Sequence, residues 1–209
     1  MTTTPKYSVI SLLAKQQEQV DDKTLVEKLR AGDQTAFKHM VTTWQAMVYN
    51  TALGIVQKEE DAEDISQEVF VQVFQSINTF KGESKFSTWL YRITITKSLD
   101  HERKKKRKKR FAFISSLFGE DNIEQVHPPD FNHPGVVMDK KEDASILFKA
   151  ISELPENQRI AFTLHKVESL SYQEVCEVMQ TSISSVESLM HRARLNLRKK
   201  LTDHYQNNK

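Results

Sequence analysis

The sequence has little of what disulfide-linked, metal-binding or turn-rich proteins need. Its single cysteine, Cys176, excludes an internal disulfide and a zinc site built from several thiolates. Five glycines and five prolines in 209 residues argue against collagen-like, linker-rich and many-turned all-β chains. No apolar run approaches the roughly 20 residues of a membrane-spanning helix, and the charged N-terminus does not resemble a signal peptide. We therefore expect a cytoplasmic protein without membrane insertion.

The formal net charge of +2 conceals blocks of opposite sign. The charge sums to −5 over 58–70, +9 over 71–110, −6 over 111–156 and +5 over 191–209. Two basic blocks far apart in sequence favour two contacts with a polyanion, and the acidic blocks favour a different partner or a spacer. The first basic block peaks in the unbroken cationic run 103–110, which would neutralise phosphates without reading base sequence.

Apolar residues recur at helical spacing through most of the chain. This spacing predicts N-terminal helices over 23–31, 34–55, 59–79 and 85–109. Helical spacing resumes after residue 143, where Pro155 marks one helix start and Ser171 to Glu174 form a capping box that opens another. No segment alternates at period two for long enough to predict a strand.

The segment between these helical regions has a different composition. From 111 to 142 the periodicity is lost, prolines cluster and acidic residues dominate, which predicts a linker. Residues 1–20 are polar and indicate a flexible N-terminal arm. We therefore predict an all-α protein of two small helical domains, 21–110 and 143–209, joined by a flexible acidic linker.

The C-terminal domain has the pattern of a helix-turn-helix. A short capped helix over 171–179 is followed by a polar turn and a long helix. In such motifs the second helix enters the major groove, with small polar residues near base edges and later arginines on phosphates. A surface helical hairpin with a solvated basic end would give a similar pattern. The positions predicted to contact DNA are Ser182, Ser184, Ser185, Glu187, Ser188, His191, Arg192 and Arg194.

An acidic stretch over 61–70 places Asp61, Asp64 and Glu68 on one helix face. Three carboxylates so placed could ligate a metal, but no further ligand completes a site, and acids at a helix N-terminus need no function. A protein partner with a basic surface explains them better, so we expect no metal or cofactor.

Aromatic residues and cations alternate over 81–92, just before the basic run. That mixture suits single-stranded nucleic acid, because rings stack on unpaired bases while cations follow the backbone. The alternative is that Phe86, Trp89 and Ile93, which share helical spacing, are core residues. For Trp89 the pattern does not separate the two.

Two sets of motifs in this chain resemble one family. Residues 61–70 and 80–93 resemble the second conserved domain of bacterial RNA polymerase sigma factors of the extracytoplasmic-function (ECF) type. Residues 154–159, 170–175 and 191–194 are similar to the fourth domain of the same proteins. The resemblance covers roughly 23–110 and 143–202, in the family's order and with an acidic linker between.

The resemblance implies a non-enzymatic, dissociable subunit that binds core RNA polymerase, recognises promoter DNA and directs transcription initiation. It implies a protein that is monomeric when free and works at the nucleoid with the polymerase, and an anti-sigma factor is a candidate regulator. The acidic helix would dock on the clamp coiled coil of the polymerase β′ subunit through Asp61, Asp64, Gln67, Glu68 and Phe70.

The resemblance also assigns residues to DNA. The loop before the fourth helix would receive a base extruded from the minus-ten promoter element, and that helix would meet the duplex beside it. The minus-ten residues are Lys81, Ser84, Lys85, Phe86, Trp89, Arg92, Thr96, Lys97, Asp100, His101 and Lys104. The final helix would read the minus-thirty-five element through the eight positions named above.

Three features depart from the family pattern. Trp89-Leu90 stands where housekeeping sigma factors commonly place two adjacent aromatics, which predicts a weaker wedge and a stringent dependence on promoter sequence. Glu187 stands where many relatives carry a cation, so it either accepts from a cytosine amino group or faces away. The cationic run 103–110 is longer than the family pattern requires, and its extra charges have no assigned role.

Two other classes of protein remain open from the residues alone. One is a helix-turn-helix regulator with an N-terminal dimerisation or sensor module. Association with core polymerase that is lost on charge reversal at Asp64 and Glu68 would favour the sigma factor over this regulator. The other is a peripheral membrane protein anchored by the basic run and the apolar residues 111–118, which liposome flotation would reveal.

Overall fold

In the computed structural model of the chain, residues 22–117 and 141–207 are described. These residues form helices and short connections, with no strand among them, so the all-α prediction is confirmed. The helices are α1 (22–30), α2 (Gln34–Val56), α3 (Glu59–Ser76), α4 (Phe86–Leu117), α5 (Lys141–Ser152), α6 (Glu156–Phe162), α7 (Tyr172–Met179) and α8 (Ile183–Asn207). A 3-10 turn (Ile77–Thr79) follows α3, and a π-helical segment (Thr163–Val167) follows α6.

Side-chain caps fix several helix starts. The Asp33 carboxylate accepts from the amides of Thr35 at 2.7 Å and Ala36 at 3.1 Å, and these backbone hydrogen bonds lower its pKa. The capping box is confirmed at α7, where the Ser171 hydroxyl and the Glu174 carboxylate each accept from the other's backbone amide. Asp22 accepts from the Phe86 amide at 3.0 Å and so ties α1 to the start of α4.

The first four helices surround one hydrophobic core. Its fully buried side chains come from the predicted apolar stripes of α2, α3 and α4, among them Met40, Ile65 and Leu90. Phe86 lies at its centre, with ring centroids 5.1 Å from Trp44 and 5.7 Å from Phe80. Edge-on aromatic packing of this kind adds to area burial and fixes the start of α4.

Helix α4 extends beyond its predicted end. It continues through the basic run to Leu117, so the expectation that the linker begins at 111 is wrong. Lysine and arginine are good helix formers, and neither glycine nor proline interrupts the chain before Gly119. Helix α5 begins at Lys141, two residues before the predicted domain start. The rest of the predicted linker and the arm over 1–20 lie outside the described residues.

The C-terminal helices pack on α8 and also on the N-terminal bundle. A second buried cluster joins Ile55 of α2 and Tyr91 of α4 to apolar residues of α6, α7 and α8. The absence of a side chain at Gly54 allows α2 to lie close to the π-helical segment. A Cβ there would overlap the buried Thr163 side chain, whose hydroxyl donates to the Gly54 carbonyl at 3.2 Å. The two helical regions are therefore docked on each other through α2 and α4.

Candidate nucleic-acid and protein interfaces

The acidic helix α3 uses some of its predicted docking residues within the fold. Asp61 is largely buried, with its carboxylate 2.6 Å from the Lys105 ammonium and 3.4 Å from the His101 ring, both on α4. Phe70 is buried in the core, because it lies beside the apolar stripe that faces α2 and α4. Both side chains make contacts within the fold here, and their docking on the polymerase stays a prediction.

The remaining predicted residues of α3 share a solvent-facing surface. Asp64, Gln67 and Glu68 are exposed, with Glu68 in a 3.5 Å ion pair to Lys97. Beyond them along the helix lie Val71 and Phe74, which are 55% and 59% exposed. These two apolar residues are not among the docking residues predicted from the sequence. Their position outside the buried apolar stripe of α3 is the feature that could have identified them. We call Asp64, Gln67, Glu68, Val71 and Phe74 the α3 face.

The loop before α4 borders a cleft. Lys81 is exposed, Ser84 and Lys85 are half-buried, and Gly82 adopts a positive φ of 75° that allows the turn. A cavity of 570 Å³ lies between α1, α2 and the first turn of α4, lined by side chains that include Lys28, His39, Trp44, Lys85 and Ser87. Its lining combines cations, a ring and polar groups with the carboxylates of Asp22 and Asp33, a mixture that suits the face and hydrogen-bonding edges of a nucleobase.

Two aromatic residues predicted at the minus-ten contact have different positions. Phe86 has no exposed surface and lies in the core beneath the loop, and its contact with an extruded base stays a prediction. Trp89 is half-buried and packs on Phe80 and Phe86, with ring centroids at 5.2 and 5.7 Å. It therefore has an anchored inner edge and an outer edge available to a ligand.

Several predicted DNA residues along α4 already have partners. Arg92 donates to the backbone carbonyls of Glu177 at 2.7 Å and Val178 at 3.3 Å, at the end of α7. Lys97 and His101 face acids of α3, as described above. Asp100 pairs with Arg103 at 3.3 Å, and the Thr96 hydroxyl donates to the Arg92 carbonyl. Lys104 is exposed, and no ion pair joins it to another described residue.

Buried polar pairs also join the two helical regions. The Arg159 guanidinium lies 2.6 Å from the Glu102 carboxylate, and it also donates to the Ser152 carbonyl at 3.0 Å. The Tyr91 hydroxyl donates to Glu168 at 2.9 Å. Burial, followed by the nearby Glu168 charge, raises the pKa of Tyr91, and burial also raises the pKa of Glu168 despite its hydrogen bonds from Tyr91 and Asn50.

The helix-turn-helix presents its predicted residues to solvent. Gln180 ends α7 in the left-handed conformation, and the Ser182 hydroxyl accepts from the Ser185 amide at 3.2 Å, capping α8. Ser184 and Ser185 lie 3.0 and 2.9 Å from that hydroxyl. Glu187, Ser188, His191 and Arg192 are exposed on α8, and Arg194 donates to the Tyr172 hydroxyl at 2.8 Å.

Within 22–117 and 141–207, no group of three or more His, Cys, Asp or Glu side chains is placed to hold a metal ion. In the same ranges, no helix is both long enough and apolar enough to cross a membrane.

The fold and its exposed surfaces define a two-region helical protein whose second region is a helix-turn-helix. Residues 40–108 match the model of sigma-70 region 2, and residues 145–197 match that of sigma-70 region 4. The chain is 34% identical to the ECF RNA polymerase sigma-E factor of Haemophilus influenzae over 177 residues, covering 85% of this chain and 93% of that protein. The corresponding Escherichia coli K12 factor is 31% identical, with 85% and 92% covered. The chain belongs to the ECF sigma factors, which are transcription initiation factors.

Solved structures with the same fold support this assignment at the level of architecture. CnrH, solved in complex with the cytosolic domain of CnrY, aligns with a TM-score of 0.62 at 20% identity, covering 87% of this chain and 97% of CnrH. The sigma factor RpoE of Bartonella quintana, solved with the anti-sigma factor NepR, aligns with a TM-score of 0.57 at 21% identity, covering 79% and 96%.

Proposed function

We propose that this sigma factor binds core RNA polymerase through the α3 face and contacts promoter DNA through two separate surfaces, the loop and outer side of α4 and the first turns of α8. The main support for DNA binding is the exposure of predicted helix-turn-helix residues on one side of the start of α8. Small polar side chains there suit base edges, and the arginines that follow suit phosphates. Catalysis belongs to the polymerase, and the chain is its specificity subunit. The complex acts in the cytoplasm.

The composition of the α3 face supports polymerase docking. Two exposed apolar side chains, Val71 and Phe74, have acidic and polar neighbours in Asp64, Gln67 and Glu68. A protein interface commonly has an apolar centre with a polar rim, and the acids provide complementarity to a basic helix pair such as the β′ clamp coiled coil. Asp61 and Phe70 would support this face from below without touching the partner.

The cleft beside the loop supports capture of an extruded minus-ten base. Lys85, Ser87 and the ring of Trp44 line it, and Lys81 and Ser84 lie on the loop that leads into Lys85. Holding a flipped base would offset an unstacking cost of a few kcal/mol and so stabilise the melted promoter. Phe86 would fix the loop from within the core.

Arg92 imposes a condition on this assignment. Its guanidinium donates to two carbonyls of α7, so it reaches DNA only after the helix-turn-helix leaves α4. The minus-ten and minus-thirty-five elements lie about 25 base pairs apart, or about 85 Å at 3.4 Å per pair, and docked domains do not span that distance. Promoter binding would therefore separate the two regions.

A protein inhibitor is a further proposed partner. The two aligned proteins, CnrH and the sigma factor RpoE, were each solved with a bound protein, and the one bound to RpoE is named an anti-sigma factor. We propose that this chain also takes an anti-sigma factor, which would keep its binding surfaces from the polymerase and promoter.

The test is assembly with core RNA polymerase in the absence of DNA. The double variant Asp64→Lys, Glu68→Lys should lose at least about 100-fold in affinity, because like charges across an interface cost several kcal/mol. The matched control, Glu27→Lys with Glu83→Lys, makes the same charge change at exposed acids away from the α3 face and should bind normally. Failure of the wild-type chain to bind core polymerase, while binding DNA alone, would favour the ordinary helix-turn-helix regulator.

A further inference from the structure

The basic run lies on a rigid helix that continues past the core of the N-terminal bundle. Residues 103–110 are all exposed, and α4 continues for seven more residues to Leu117. These cations therefore have fixed relative positions along a helix and are not spread over a coil. Apart from Lys104, which is assigned to the minus-ten element, they have no part in the polymerase, minus-ten or minus-thirty-five contacts above.

Only three of the eight cations have partners in the described part of the chain. Lys105 lies 2.6 Å from Asp61, Lys106 lies 3.9 Å from Glu102, and Arg103 lies 3.3 Å from Asp100 and 3.6 Å from Glu156. The other five make no ion pair with a described residue: Lys104, Arg107, Lys108, Lys109 and Arg110. Like charges at i and i+4 destabilise a helix, so folding alone does not account for these five.

The helical register continues the DNA-facing side of α4 into this run. Thr96, Asp100, Lys104, Arg107 and Arg110 follow one another at spacings of four, four, three and three residues, which places them on one stripe. That stripe lies opposite Lys105, which points to Asp61 of α3. It spans about 21 Å at 1.5 Å per residue, equal to the rise of about six base pairs.

We propose that Arg107 and Arg110 on this stripe, together with Lys108 one turn beyond Lys104 at its side, bind backbone phosphates of duplex DNA just upstream of the minus-ten element. This inference rests on the proposed function, which places the melted bases at the loop before α4. Moving along α4 from that loop leads away from the melted bases, first past Thr96 and Asp100 and then to the basic stripe. The run holds only lysine and arginine, the side chains that most often neutralise backbone phosphates.

The salt dependence of promoter binding tests this contact. The triple variant Arg107→Gln, Lys108→Gln, Arg110→Gln is assembled with core polymerase, and its affinity for a promoter fragment bound by the wild-type holoenzyme is measured from about 50 to 200 mM salt. The slope of log affinity against log salt should become shallower by about 2 to 3, because each lost phosphate contact removes about 0.9.

Two controls make the result specific. The charge-preserving variant Arg107→Lys, Lys108→Arg, Arg110→Lys should keep the wild-type slope and so show that helix α4 tolerates substitution there. On a fragment truncated at the upstream edge of the minus-ten element, the wild-type and triple-variant holoenzymes should have equal slopes. Circular dichroism of the triple variant should retain the wild-type helicity.

An unchanged slope on the long fragment would overturn the inference, as would an equal loss of slope on the truncated fragment. Loss of binding only to vesicles of phosphatidylglycerol and phosphatidylethanolamine, with the DNA slopes intact, would assign the run to a membrane surface and also overturn the inference. Failure of the wild-type holoenzyme to bind any promoter would count against the proposed function, not against the stripe alone.

Discussion

The two candidate DNA surfaces differ in how far the fold itself occupies them. At the start of α8 the predicted residues are exposed, apart from the half-buried Ser185, and their polar contacts stay within the helix-turn-helix, as between Ser182 and Ser185. Along α4 several of the predicted residues contact other helices, as Arg92 does with α7. A motif complete within two adjacent helices keeps its surface free, whereas a site at a crossing of several helices shares its side chains with the core.

The difference originates at the junction of the two helical regions. Gly54, Tyr91 and Glu102 of the N-terminal bundle meet Thr163, Glu168 and Arg159 of the C-terminal helices, and Arg92 lies beside them. Weakening this junction should therefore alter the α4 surface, while changes on α8 should act on DNA recognition alone.

The largest expected effect is at the Glu102–Arg159 pair. Glu102→Gln should lower the free energy of unfolding by about 3 kcal/mol, because it leaves the buried Arg159 guanidinium without its charge partner. Chemical denaturation of the full chain measures this loss. The control Glu153→Gln breaks a more exposed pair with Lys200 and should cost less than about 1 kcal/mol. Equal losses in the two variants would contradict a buried junction.

Gly54→Ala should destabilise the chain by about 2 kcal/mol through overpacking against Thr163. The sign is informative, because alanine in a helix interior is ordinarily about 1 kcal/mol better than glycine. The double variant Gly54→Ala, Thr163→Ala should recover part of the loss in a thermal or urea melt. A stabilising Gly54→Ala would show that α2 and the π-helical segment are not in close contact.

On the open surface of α8, Glu187→Gln should change base preference without changing stability. If the carboxylate accepts from a cytosine amino group, its loss should relax discrimination at one minus-thirty-five base pair by about tenfold. Binding of the holoenzyme to a set of single-substituted promoters measures it. Arg194→Gln serves as a contrast, since loss of a phosphate contact should weaken all these promoters equally. A uniform effect of Glu187→Gln would indicate that this side chain faces away from the bases.

The smallest expected effect is the pH dependence of the Tyr91–Glu168 contact. Burial raises the pKa of Glu168 in the folded state, so the folded chain holds a proton at pH values where the unfolded chain has released it. Stability from this group is therefore complete below the ordinary carboxyl pKa and declines as pH rises through the folded value.

The matched variant is Glu168→Gln, which does not titrate. Relative to it, the wild-type chain should lose stability as pH rises from about 4 towards neutrality, by less than about 1 kcal/mol because the group is partly exposed. Urea melts across that range measure the difference. A wild-type chain that gains stability relative to the variant over this interval would reverse the assigned cause.

Helical periodicity and caps were sufficient to predict the helices and the helix-turn-helix. The Ser171–Glu174 capping box is local, so its residues carry the whole signal. The apolar stripe of α3 likewise predicts which side is buried, and its remainder contains Val71 and Phe74.

What the sequence did not reveal depends on contacts between distant segments. Helical periodicity predicts which side of α4 carries Phe86, but it does not predict the three rings that surround that side chain. It also does not predict that Arg92 donates to carbonyls of α7, some 85 residues away. A sequence does not show which acids and bases on different helices pair. The pattern that predicts Asp61 as a docking residue therefore gives no sign of Lys105 and His101 beside it.

The central claim is tested most directly by run-off transcription with sigma-free core polymerase, this chain and a library of genomic fragments. The account predicts discrete start sites that require the chain and are lost both on changing the minus-ten element and on changing the minus-thirty-five element. The same sites should be lost with Asp64→Lys, Glu68→Lys. If the chain binds DNA yet yields no start site on any fragment, the assignment of these surfaces to promoter-directed initiation is contradicted.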